Sequence, residues 1–255
     1  MYVDEEVARQ TGKFNYIEST EDITWDDVLA TAKKISGLNL TGVVTIKEDL
    51  FEDLPSIVLQ LIGYIQSNLK SNEEIDKTII CHGLQIYKQL FDLHQVYYVK
   101  GSDRETEPKA LFTTTPTLFL SGGFRYLELP LLSTSVNICP SSAVFASIPK
   151  DSQKVEEAID FISLLLSQRC QMHYNVMGVL RKDTSLIPAE GYAMFQPPQG
   201  YNQEIYIACV RNVFILKIDN EAHDQIVDYL DAFCQGKINV NQMAEHIVSL
   251  SSTAI

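Results

Sequence analysis

The sequence predicts an α/β fold, and three observations predict it. Apolar residues at helical spacing alternate along the chain with short β-branched runs. Capping residues and glycine stops bracket the helical runs. The chain has 255 residues and is 45% hydrophobic, enough to bury a sizeable core. It contains no internal repeat and no low-complexity tract.

The elements follow in order. Residues 2–10 read as a short helix that stops before Gly12. Thr24 is a good N-cap, with Asp26 and Asp27 in the first turn, where negative charge meets the helix dipole. Trp25, Val28, Leu29, Ala32 and Ile35 then recur at helical spacing, and Gly37 supplies a stop. That spacing makes Trp25 a buried anchor and not a ligand-stacking ring. Residues 41–46 are β-branched and short, hence a strand. Residues 54–69 form an Ile- and Leu-rich helix with Pro55 in its first turn. Asn72 caps a second helix whose Ile75, Ile79, Ile86, Leu90 and Leu93 share a face.

Short strands are expected at 110–113, 117–120 and 143–148, with Gly122-Gly123 as a turn. The clearest helix spans 153–167. Val155, Ala158, Ile159, Ile162, Leu165 and Leu166 form its apolar stripe, with Lys154, Glu156, Glu157 and Asp160 opposite. Residues 184–203 carry proline and glycine and read as irregular. Asn220 caps a helix through Phe233 that Gly236 ends, and a last helix runs over 241–250.

Composition excludes some functions. The net charge is −13, so no basic stripe exists to displace counterions from nucleic acid or to meet an anionic membrane. No run of about 20 apolar residues exists to cross a bilayer, since 129–149 is broken by Pro130, Pro140 and Pro149. Residues 1–10 carry Asp4, Glu5 and Glu6, where a signal peptide would be basic. The five cysteines, Cys81, Cys139, Cys170, Cys209 and Cys234, form no C-x-x-C pair and read as free thiols without a disulfide.

Catalytic signatures are missing. The chain has no G-x-S-x-G, H-E-x-x-H, P-loop or G-x-G-x-x-G. Cys170 and His173 are three residues apart, but two ligands make no metal site. The carboxylates at 4–6 and 26–27 lie in first helical turns, where dipole complementation accounts for them. The expectation is a protein without catalysis, metal or cofactor.

What remains points to a ligand cleft. The threonine hydroxyls of residues 113–117, around Pro116, can bond a polar ligand, although β-propensity and an edge proline explain the run more readily. Tyr2, Phe124, Tyr126, Tyr174, Tyr192 and Phe195 supply aromatic faces of the kind that stack on sugars. Any one of them alone is more often core.

The order of segments resembles the extracellular solute-binding proteins of ABC importers, the maltose-binding-like family 1. Residues 2–7, Tyr-Val-Asp-Glu-Glu-Val, resemble its Tyr-Tyr-Asn-Lys-Asp-Leu segment. Residues 24–34 resemble its Thr-Trp-Asp-Glu-Leu helix with the Ala-Lys-Lys ending. Residues 143–167 resemble its strand, turn and Ala-x-x-Phe helix. Residues 177–183 resemble its Gly-x-Leu-Pro-x-Arg-Lys-Asp with the proline absent, and 235–245 resemble its Gly-Lys tail.

The resemblance covers most of the chain and implies several things. The fold would be of the periplasmic-binding-protein type II kind, mainly the C-terminal lobe, a mixed sheet flanked by helices. Residues 1–136 and 186–255 would form that second lobe, and 137–185 would cross over to pack into the N-terminal lobe. Most of that N-terminal lobe would be missing, which makes this a partial chain. The function would be carbohydrate transport: capture of a sugar or oligosaccharide at the cell surface, by a lipoprotein in the family context, and delivery to an ABC permease. The ligand-binding residues would be Tyr2, Thr114, Thr115, Phe124, Arg125, Tyr126, Tyr174 and Asn175. The alternative is a protein-interaction or regulatory lobe that binds no solute. An unrecognised α/β enzyme comes third.

Overall fold

The computed structural model describes residues 2–12, 23–35, 41–46, 54–99, 110–114, 124–126, 129–133, 136–141, 147–165, 167 and 213–253. Its strands are β1 (Tyr2–Asp4), β2 (Thr41–Ile46), β3 (Val96–Val99), β4 (Ala110–Thr114), β5 (Phe124–Tyr126), β6 (Cys139–Ser141) and β7 (Val213–Ile215). Its helices are α1 (Glu5–Gln10), α2 (Trp25–Ile35), α3 (Ser56–Ser71), α4 (Lys77–Asp92), α5 (Val155–Leu165), α6 (Asn220–Cys234) and α7 (Val240–Thr253). Strands and helices interleave, so the class is α/β.

A five-stranded mixed sheet has the order β3-β2-β4-β1-β5. β3 and β4 pair parallel to β2, while β1 runs antiparallel between β4 and β5. α2 packs against β2, and α1 against β4. α2 also meets α4, which packs with α3, α6 and α7. A separate parallel pair, β6 and β7, lies on α3. One continuous core links these layers, from Val3 and Phe112 in the sheet to Leu61, Leu84, Ile226 and Ile247 in the helices.

Local chemistry explains the helix boundaries. Thr24 and Asp27 form a capping box: Asp27 N donates to Thr24 Oγ1 at 3.2 Å, and Thr24 N to Asp27 Oδ2 at 2.9 Å. Asn239 and Gln242 cap α7 in the same reciprocal way, at 3.0 and 2.9 Å. Trp25 is 2% exposed and its indole donates to Gln60, so it is the expected anchor.

Other expectations shift. The expected opening helix at 2–10 begins as strand β1, because Val3 pairs with both flanking strands and Asp4 becomes the N-cap of α1. Asn72 does not start α4: it ends α3 with φ of 56°, and Asp76 caps α4. Its N–H bonds Leu69 O and that of Glu73 bonds Asn68 O, which satisfies the last carbonyls. Pro55 sits at the N-cap and not in the first turn, and Asp219, one residue before Asn220, caps α6. Gly236 ends α6 with φ of 73°, as its position foretold. The expected stop at Gly37, the strand at 117–120, the turn at 122–123, the irregular 184–203 and most of the strand at 143–148 lie outside the described residues.

Among the described residues no helix is long and apolar enough to cross a membrane. The expected helix at 153–167 appears as α5, but none of its residues is buried.

Candidate functional site

The sheet decides which predicted residues can meet. β2, β3 and β4 run the same way, so Ile46, Val99 and Thr114 end at one edge. β1 runs the other way, which brings its first residue, Tyr2, to that edge. β5 is antiparallel to β1, so it ends there too, at Tyr126. The register is specific: Tyr2 is opposite Thr113 on one side and Tyr126 on the other. In open α/β sheets, ligands bind in the crevice outside the carboxyl ends of the parallel strands. Tyr2, Thr113 and Tyr126 share the last paired row at that edge, and Thr114 lies one residue further along β4.

The next row back holds Val3, Phe112 and Arg125. Val3 and Phe112 are both 0% exposed, and their burial locks the register, because a one-residue slip would turn them out. Phe124 is opposite Asp4, two residues back from Tyr126 or ~7 Å along the strand. Phe124 and Tyr126 thus occupy different depths of the sheet. Thr115, Tyr174 and Asn175 lie outside the described residues, as do Tyr192 and Phe195.

The first-turn carboxylates are engaged locally. Asp4 Oδ1 accepts from Val7 N at 3.0 Å, and Glu6 accepts from Gln10 Nε2 at 3.0 Å. Asp26 Oδ2 lies 2.8 Å from His82 Nε2, a surface link between α2 and α4. Among the described residues no cluster of three or more His, Cys, Asp or Glu could hold a metal ion. Cys81, Cys139 and Cys234 form no disulfide; Cys170, His173 and Cys209 lie outside the described residues. Burial pushes the Cys234 thiol up to about 11, which makes it a poor nucleophile at neutral pH.

A groove of about 360 Å³ lies between α4 and the turn joining α6 to α7. Lys88 and Asp92 line it beside Phe233 and Val240. The Lys88 ammonium donates to both Asp92 oxygens at 3.0 Å and to Cys234 O at 3.1 Å, so it secures the end of α6. Among the described residues, no predicted ligand residue borders this groove.

Sequence reasoning missed the buried amides on α3, above all Gln60 and Gln66, which are 0% and 1% exposed. The signal was there: each is an uncharged polar residue inside an otherwise apolar helical stripe. Such a side chain must find partners when buried.

No protein-family model and no curated protein matches the chain. Among solved structures it is similar to maltose-bound MalE3 of T. maritima, at 14% identity and a TM-score of 0.54. The match covers 100% of this chain and 70% of that one. The likeness gives the fold alone: this chain has an α/β architecture like that of this maltose-bound protein.

Proposed function

We propose that this protein binds a carbohydrate without catalysis and hands it to an ABC permease at the cell surface. The observation that carries this reading is the carboxyl edge of the mixed sheet, where Tyr2 and Tyr126 share a row with Thr113, and Thr114 lies one residue beyond it on β4. Tyrosine rings supply stacking surface for the C–H faces of a sugar, and threonine hydroxyls bond its hydroxyls. The fold likeness to a maltose-bound protein supports the same ligand class. In this reading the fold is type II. Residues 1–136 and 186–255 form the second lobe, 137–185 cross over, and the lobes close on the sugar. Arg125, Phe124, Thr115, Tyr174 and Asn175 complete the proposed site.

A second reading has its own observation. α5 exposes Ile159, Phe161 and Leu164 by 50%, 59% and 57%, which fits an interaction lobe that meets another protein.

Thermal-shift screening of the full chain separates the two. The panel is maltose, maltotriose, glucose and a set of short peptides. Binding at 100 times Kd stabilises the native state by about 2.7 kcal/mol and raises Tm by roughly 5–10 °C. A saturable rise with a sugar supports the proposal. A flat response to every sugar refutes it and favours the interaction lobe.

A further inference from the structure

Helix α3 presents Gln60, Gly63 and Gln66 over about 9 Å of its length, and all three face the β6–β7 pair. Gln60 Oε1 accepts from the Trp25 indole at 2.6 Å. Its Nε2 donates to Pro130 O at 3.1 Å and to Ile138 O at 3.0 Å, just before β6. The indole can only donate and the carbonyls only accept, so the partners fix the orientation of this amide.

Gln66 treats Lys217, just after β7, as a neighbouring strand would. Its Oε1 accepts from Lys217 N at 3.0 Å, and its Nε2 donates to Lys217 O at 2.6 Å. A third bond runs from Nε2 to Ser251 O in α7, at 3.3 Å. Gly63 lies between them. A Cβ there would meet Ile138 Cγ2 at 2.9 Å, too close without a shift, and Leu216 Cδ2 at 3.4 Å, so glycine leaves the room that the Ile138 side chain occupies against α3. Five of the six amide hydrogen bonds reach segments remote in sequence by 70 residues or more.

We propose that Gln60, Gly63 and Gln66 form a seat that fixes the placement of the β6–β7 pair. The three are positioning residues. Without the seat, the two strands leave α3 together while the helical core stays closed. The inference does not rest on the solute-binding reading, and its test uses no ligand.

The test is native-state hydrogen exchange on the full chain, comparing wild type with Gln66→Met and Gly63→Ala. Met keeps the length of Gln66 and removes its hydrogen bonds, and Ala intrudes on Ile138. The proposal expects the amides of Ile138, Cys139 and Ser141 and those at 214–217 to exchange roughly tenfold faster or more in each variant. Amides of Ile80, Leu84 and Leu90 in α4 should change by a smaller factor. Equal acceleration in both regions would overturn the proposal, because the three residues would then only add global stability. Unchanged exchange at Ile138, Cys139, Ser141 and 214–217 would overturn it as well. If Gln66→Met does not fold, Gly63→Ala gives the same regional comparison.

Discussion

Helices α4 and α5 have the same kind of sequence and opposite surroundings. Each carries aliphatic residues at helical spacing along one face and polar residues on the other. In α4, Ile80, Leu84, Ile86 and Leu90 are at most 1% exposed, because α2, α3, α6 and α7 surround it. In α5, Phe161 is 59% exposed and no residue is buried. The difference teaches that periodicity reports which residues share a face. It does not report what covers that face.

Mutations break or sharpen this contrast, beginning with the largest effect. Trp25→Ala should cost about 3–5 kcal/mol and Leu84→Ala about 2–5 kcal/mol in urea unfolding, through lost burial and a cavity. The Trp25 change also leaves Gln60 Oε1 without its indole partner, which adds to the loss. Phe161→Ala should fall within about 0.5 kcal/mol of wild type, as exposed sites do. A loss at Phe161 equal to that at Leu84 would mean that the α5 face is covered in solution.

Backbone effects come next. Gly236 holds φ of 73°, so Gly236→Ala should cost about 1–2 kcal/mol. His94 holds φ of 53° at the end of α4, where the N–H of Gln95 bonds Leu90 O. His94→Gly should therefore raise stability, by up to about 1 kcal/mol. Opposite signs at these two helix ends would confirm that both need the left-handed conformation.

Two titrations follow. The folded state holds the Cys234 thiol at about 11, above its ordinary 9.0, through desolvation first. The folded state thus binds the proton more tightly. The stability from this group is complete below pH 9 and disappears as pH rises towards 11, and Cys234→Ala should remove that slope from the unfolding profile. Asp76 works in the other direction. The Thr78 hydroxyl and then the Thr78 N–H bond its carboxylate and hold it below 3.8. Its stabilisation is present above that value and fades as pH falls through the lower folded value. Asp76→Asn should erase this small acid dependence.

Much of the fold was legible. Capping residues and apolar periods placed α2, α3, α4, α6 and α7 within a few residues, because local hydrogen bonds set helix ends. The strands were less legible. β1, β5, β6 and β7 have three residues each, too few to show alternation, and their pairing is remote in sequence. Asn72 could be read as the start of α4 because asparagine favours both caps; only the backbone angle shows that it ends α3. The candidate site was half legible. Residue types named Tyr2, Thr114 and Tyr126, but the antiparallel insertion of β1 between β4 and β5 brings them to one edge. The same register sets Phe124 two residues back from that edge, a difference in depth that the sequence did not announce.

The measurement that tests the central claim most directly is a calorimetric titration. Maltotriose is titrated into the full chain, as wild type and as Tyr126→Ala. The account predicts saturable binding to wild type and a roughly tenfold or greater loss of affinity in the variant, the loss of one stacking face being worth about 1.4 kcal/mol. The variant should keep its Tm within a few degrees. Binding of equal strength in both proteins would remove the site from the carboxyl edge of the sheet, and no heat with either would contradict carbohydrate binding itself.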